Sequence, residues 1–313
     1  MRNISLRGCI NTLLLSICFA QASGQIIEPR NRITAVARLS LDKSRQDIYR
    51  FEYTVENSIQ SRQDIWNFMV IFRFSKDSIK KSFGVQDWWG PDMPVKGPPF
   101  WVSWSGPKDD KIKPGKSVRG FAFETSVLPG ITEYYCEGYA PPPSFPEGMA
   151  SDSIPGYTDL TPYGPGIVGK TVGPVMPPAP YLSVPFLDTL LSYVHQSHEL
   201  GWINNTRDDD AEEDEQAQDG IVKNLDKRLS QTRDLIVRDK IGEAKNRLEK
   251  FLHKVEQLWD RQQKEEKRNR KNPKIIFTSE AYALLKYNGD YLLDHLTENK
   301  RDKDKDSRKG KER

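Results

Sequence analysis

Residues 48–55 read Ile48-Tyr49-Arg50-Phe51-Glu52-Tyr53-Thr54-Val55, and this alternation decides the first half of the fold. Successive side chains of an extended chain point to opposite sides, so Tyr49, Phe51, Tyr53 and Val55 share one face. Arg50, Glu52 and Thr54 take the other, with Glu56 after them. A strand with one apolar face must belong to a sheet packed on a second layer. Beyond a polar connection at 57–63, residues 65–74 are apolar on both sides. Trp66, Phe68, Val70, Phe72 and Phe74 lie on one side, and Met69 and Ile71 on the other, which is the pattern of a central strand.

Working outward, residues 33–41 supply a preceding strand. A Gly/Pro-rich excursion holding Trp88-Trp89 leads to a short strand at 100–104. Lys113-Pro114-Gly115-Lys116 is a turn, since proline presets the first corner and glycine takes the positive φ. Strands follow at 117–125 and, past Pro129-Gly130, at 131–139. About six short strands with no interleaved helical period argue for an antiparallel sandwich over 23–140. The phrase Ile112-Lys113-Pro114-Gly115-Lys116-Ser117, followed by Gly120-Phe121, resembles the immunoglobulin-like domains of secreted bacterial proteins. That resemblance implies an immunoglobulin-like sandwich of the kind that binds or spaces more often than it catalyses.

Residues 141–185 hold twelve of the 21 prolines. Such a stretch cannot supply the backbone donors of a central strand or a helix, so it reads as a connecting segment. Its apolar Ile154, Tyr157, Leu160, Tyr163, Ile167, Val168, Val172 and Val175 have little use in a free linker, and argue that it lies against the sandwich.

Helical periodicity takes over at 186–296. Leu187, Leu190, Leu191 and Val194 mark one helix, ending near Gly201. Ile221, Val222, Leu225, Leu229 and Thr232 mark a second. Ala244, Leu248, Phe251, Leu252, Val255 and Leu258 mark a third. Thr278 or Ser279 caps a fourth that runs through Ala281, Leu284, Leu285 and Leu292. Each is apolar on one side, so the four must pack on one another as an all-α antiparallel helical bundle. Leu200-Gly201-Trp202-Ile203, Gly220-Ile221-Val222-Lys223-Asn224-Leu225, Ala244-Lys245-Asn246-Arg247-Leu248 and Ser279-Glu280-Ala281-Tyr282-Ala283-Leu284-Leu285 together resemble the FIMAH-type helical domain found at the C-termini of secreted bacterial proteins. The resemblance implies a non-catalytic accessory module. This chain departs from it in two charged inserts, 208–215 with seven acidic residues of eight and 261–274 with seven basic residues. Residues 297–313, almost wholly charged and without an apolar residue, are expected to be a disordered tail.

The N-terminus reads as an export signal over 1–22. Arg2 and Arg7 precede an apolar run at 10–20, and Ala20-Gln21-Ala22 is a small-x-small cleavage site. Ile17 is too bulky for the position before a lipidated cysteine, so Cys18 is not expected to carry lipid. The expected location is therefore secreted or periplasmic, with no transmembrane segment in the mature chain. Cys136 is then the one remaining cysteine and no internal disulfide is available, so stability must come from an apolar core. The formal charge of +3 falls to about +1 without Arg2 and Arg7, which speaks against nucleic acid as a partner.

Motifs for catalysis are missing from the sequence. There is no phosphate-binding glycine loop, no G-x-S-x-G elbow and no C-x-x-C. His195 and His198 stand at i and i+3 without a third ligand, and the acidic run lacks the glycine and alternating spacing of a calcium loop, so no metal, cofactor or catalytic residue is expected. Trp88, Trp89, Trp101 and Trp104 form the candidate binding group, because aromatic rings on loops can stack on sugar faces or fill a partner's pocket. The same rings could instead close one end of the sandwich core. The expectation is an exported, non-enzymatic binding, adhesion or spacer protein of the cell envelope or exterior, its partner a surface protein or a glycan. A carbohydrate-binding module using exposed tryptophans and a hydrolase with an unrecognised site are the rivals.

Overall fold

The computed structural model describes residues 33–45, 48–72, 76–85, 88–92, 100–106, 111–139, 167–176, 181–205, 220–268 and 275–309, with side chains of the last helix described through Leu296. The signal segment, the acidic run 208–215 and most of the proline-rich segment lie outside the described residues. None of the described helices is long and apolar enough to cross a membrane.

The N-terminal part is two antiparallel sheets and the C-terminal part is four helices. The four-stranded sheet runs in the order β1 (Ala35–Arg45), β2 (Ile48–Asn57), β7 (Ser117–Thr125), β4 (Ile79–Phe83). The five-stranded sheet runs β5 (Trp89–Asp92), β6 (Phe100–Ser105), β3 (Ile65–Phe72), β8 (Pro129–Gly138), β9 (Ile167–Pro174). As the alternation requires, Tyr49, Phe51, Tyr53 and Val55 of β2 are buried while the residues between them are not. The central strand β3 is buried on both faces. Phe68, Val70 and Phe72 enter the main core, and Met69 and Ile71 form a separate small cluster on the opposite face. The turn before β7 has the expected chemistry, with Gly115 at φ +74° and the Lys116 N–H donating to the Lys113 carbonyl at 3.0 Å.

The sheets face each other across a dense aromatic layer. Phe68 stacks on Trp104 at 5.6 Å between centroids, meets Phe121 at 5.2 Å and meets Tyr53 of the other sheet edge-on at 5.7 Å. Aromatic pairs of this kind add about 0.5–1.5 kcal/mol each beyond the area they bury, which suits a core with no disulfide.

The sequence reading missed three strands of these two sheets. β4 and β5 are short, and β9 lies at the C-terminal end of the segment taken as a connection, 141–185. The proline argument fails locally because the first seven residues of β9 contain no proline, and the strand sits at the sheet's edge with Pro174 as its last residue.

The helices are α1 (Ser183–Glu199), α2 (Gly220–Val237), α3 (Ile241–Lys267) and α4 (Ser279–Lys309). Gly201 at φ +72° ends α1, where the Trp202 N–H reaches back to the Ser197 carbonyl at 2.7 Å and the Gly201 N–H to His198 at 2.9 Å. Asp239 at φ 57° plays the same part after α2, and a three-residue connection turns the chain into α3. A two-stranded ladder, β10 (Ile203–Asn205) with β11 (Ile275–Phe277), ties the α1 exit to the α4 entry. Much of the basic insert is helix, since α3 continues to Lys267. Likewise α4 continues to Lys309, where a disordered tail was expected. Residues 297–309 contain neither glycine nor proline and are mostly good helix formers, so a helix already nucleated and packed upstream propagates through them.

The two parts share one continuous apolar core. Its seam is α4 laid along β1, the free edge of the four-stranded sheet. The Leu39 N–H donates to Glu280 Oε1 at 2.8 Å, and the Tyr287 hydroxyl donates to the Leu41 carbonyl at 3.1 Å. Asn288 Nδ2 donates to the Pro129 carbonyl at the start of β8 at 2.8 Å, and Tyr287 meets Tyr49 edge-on at 5.5 Å. Tyr134 of β8 takes the Ala35 carbonyl at 2.9 Å, while the Tyr53 hydroxyl crosses to the Val172 carbonyl at 2.9 Å. An edge strand presents unpaired N–H and C=O groups that invite another chain. Here side chains of α4 and β8 receive them.

Candidate binding face

The four tryptophans do not form one site. Trp104 is fully buried, its indole N–H donating to the Phe83 carbonyl at 2.9 Å. Trp88 is 7% exposed and meets Phe121 edge-on at 5.0 Å. Both rings are therefore core, and neither is presented to a ligand. Alternation explains it: Trp104 is the register partner of Phe68 and so shares its inward face. The side chain of Trp89 lies outside the described residues. Trp101 differs. It is the register partner of Ile71, half-buried, and packs with Met69, Ile71 and Tyr135 on the face of the five-stranded sheet that points away from the main core.

Next to Ile71 this apolar face opens into a cleft of about 430 Å³. Ile131 and Met176 add apolar wall, Met176 being 56% exposed. The polar rim is Thr132, Glu133 and Lys170. Thr132 donates its hydroxyl to the Ile71 carbonyl, and Glu133 and Lys170 are cross-strand neighbours paired at 2.9 Å. Both partners are substantially exposed, so the pair contributes about 0–1 kcal/mol and stays available to exchange for a ligand's charges. On the inner face β9 can pair closely with β8 because Gly169, the register partner of Tyr134, has no side chain. A Cβ on it would fall within 3.0 Å of the Tyr134 ring.

Other candidate chemistry is dispersed. His195 contacts Asp226 at 3.0 Å and His198 contacts the Ile203 carbonyl at 3.0 Å, so the two imidazoles serve different neighbours. His253 pairs with Gln257, and His295 with the Tyr291 carbonyl. Among the described residues, no group of three His, Cys, Asp or Glu side chains could hold a metal ion. Cys136 is fully buried, and burial pushes its thiol well above the ordinary range, which leaves it protonated and unreactive. Glu133, Lys170 and Met176 were not singled out in the sequence. The alternation of Glu133, Tyr135 and Glu137 against Tyr134 and Cys136 is the signal that would have placed the outer face.

The chain matches no protein-family model and no curated protein. Among solved structures it is similar to the solution structure of the chitin-binding domain of Chi18aC from Streptomyces coelicolor, at 16% identity, covering 29% of this chain and 78% of that one, with a TM-score of 0.22. At that score the likeness carries no argument about fold or ligand.

Proposed function

We propose that this chain is an exported, non-enzymatic binding protein of the cell envelope or exterior. In this reading an immunoglobulin-like β part carries the contact surface, and a FIMAH-like helical part braces it. The observation that carries the reading is the outer face of the five-stranded sheet, where the half-buried Trp101 rests on the buried Met69, Ile71 and Tyr135 and a polar-rimmed cleft opens next to Ile71. An aromatic anchor beside a few placed polar groups is the usual make-up of a recognition site. The partner is a surface protein or a glycan. Trp101, separated by Ile71 from the cleft that Thr132, Glu133 and Lys170 line, favours the glycan, because a ring can stack on a sugar face while polar groups further along the same sheet receive hydroxyls. A hydrolase is less well supported, since among the described residues Glu133 is the one carboxylate lining the cleft and it is paired to Lys170, whereas glycoside hydrolysis generally uses two carboxyl groups about 5–9.5 Å apart.

The test is a glycan array probed with the full chain and with Trp101→Ala, followed by titration of any hit. Retention of a glycan by the wild type with at least tenfold weaker binding by the variant supports the site. Hits that bind both proteins equally would remove Trp101 from it, and an array with no hits would turn the partner assignment to a protein.

A further inference from the structure

We propose a second site, on the helices, that takes a linear polyanion carrying phosphate groups. Where α2 and α3 pack side by side they leave an open groove of about 550 Å³. Arg228 stands on the α2 wall, and Lys250 and Lys254 stand on the α3 wall. A spacing of four residues puts the two lysines one above the other along the groove.

Two features mark this groove. The first is that three cations without an ion pair come together in it from two helices. Paired cations also occur on the helical part, Arg233 with Asp188 at 2.7 Å, Lys240 with Glu243 at 3.0 Å, and Lys286 with both Glu256 and Asp290. Among the described residues, no carboxylate lies within ion-pair distance of Arg228, Lys250 or Lys254, and Glu249 is the one acid on the walls. The second is that one head is pre-set and neutral donors are near. Asn224 accepts the Arg228 Nε–H at 2.8 Å, which leaves the rest of the guanidinium fork free. Asn246 and Gln257 add amides to the lining.

An arginine fork flanked by lysine point charges is chemistry that receives phosphate. Among the described residues the groove has no Phe, Tyr or Trp in its lining, and so offers no stacking platform of the kind with which single-stranded nucleic acid is held. It reads charge along a backbone. The occupant is therefore a flexible, base-free phosphate polymer. This site does not depend on the Trp101 face, and the two are tested with different residues.

The probe is end-labelled linear inorganic polyphosphate, titrated with the full chain by fluorescence anisotropy. Three neutralised phosphates on a flexible strand give a slope of log K against log salt of about −2, so that binding weakens roughly twentyfold between about 50 and 200 mM salt. The double variant Lys250→Gln/Lys254→Gln should keep about one of the three contacts, with a slope near −0.7 and a roughly threefold loss over the same range. A charge-matched control, Lys113→Gln/Lys116→Gln on the exposed turn of the β part, should bind as the wild type does. Lys113, Lys116 and Lys250 are exposed and Lys254 is half-buried, and an unchanged circular dichroism spectrum establishes that each variant is folded. Absence of binding at 50 mM salt, or equal losses in both double variants, overturns the proposal. So does an oligothymidylate that binds tenfold more tightly per phosphate than polyphosphate, since that ligand would be a nucleic acid.

Discussion

Replacing Glu280 by alanine tests how the two parts are joined. Glu280 is 4% exposed in the first turn of α4, and its Oε1 accepts the N–H of Leu39, itself 2% exposed, across a separation of 241 residues. A hydrogen bond to a carboxylate contributes about 1.5–3 kcal/mol, and a buried N–H left without an acceptor costs about 1–3 kcal/mol. A first-turn carboxylate also gains about 0.3–1 kcal/mol from the helix dipole. Against these stand the relief of desolvating the carboxylate and the better helix propensity of alanine. The expected net loss is about 2–4 kcal/mol, or roughly 5–10 °C in Tm. Glu280→Gln keeps an acceptor for Leu39, and the Ser279 hydroxyl, 3.3 Å from the other carboxylate oxygen, can receive the new amide, so its loss should stay below about 1 kcal/mol. Urea unfolding of the full chain and both variants gives the comparison. An alanine variant within about 0.5 kcal/mol of the glutamine variant would refute the reasoning.

Three further outcomes are expected. Trp104→Ala should cost about 3–5 kcal/mol, because it empties a fully buried site and strands the Phe83 carbonyl, whereas Trp101→Ala should cost about 1 kcal/mol; paired chemical denaturation distinguishes them. Burial raises the phenols of Tyr134 and Tyr193 from 10.0 to about 12. Above pH 10 the unfolded chain therefore loses protons that the folded chain keeps, and stability present below pH 10 declines towards pH 12, measurable as a falling Tm alongside the tyrosinate absorbance change. The thiol of Cys136 should resist alkylation in native buffer and react fully in urea, read on its own peptide by mass spectrometry.

What the sequence revealed and what it hid follow from the range of the interactions. The alternation of β2 and the double-sided run of β3 are local patterns, and each strand buries the faces its pattern assigns, except at Trp66, where a register shift turns Ile65 into the core instead. The proline–glycine turn and the four apolar helix stripes were equally legible. β4 was not, because Ile79-Lys80-Lys81-Ser82-Phe83 has no clean period and becomes a strand only through its pairing with β7. For the tryptophans the sequence left two readings open, a binding group or rings that close the core. Trp88 and Trp104 take the second, while Trp101, three residues from Trp104 on the same strand, points to the opposite face. The seam was invisible altogether. Asn288 falls on the packed stripe of its helix, but nothing near Glu280, Tyr287 or Asn288 in sequence announces the backbone groups of β1 and β8 that they meet.

That seam also bears on what the helices are for. A spacer on a hinge would bury its own core and touch the sheets lightly. This one lends side chains to the sheet's free edge, so both candidate surfaces, the Trp101 face and the α2–α3 groove, ride on the same packed body.

The most direct measurement is therefore urea unfolding followed by two probes in one sample. Helix loss is read by circular dichroism at 222 nm, and opening of the sheet core by tryptophan fluorescence in a Trp202→Phe/Trp259→Phe background, which removes the two indoles of the helical part. A shared core predicts coincident midpoints and equal slopes. Helices that melt at lower urea while the sheet signal holds would contradict it.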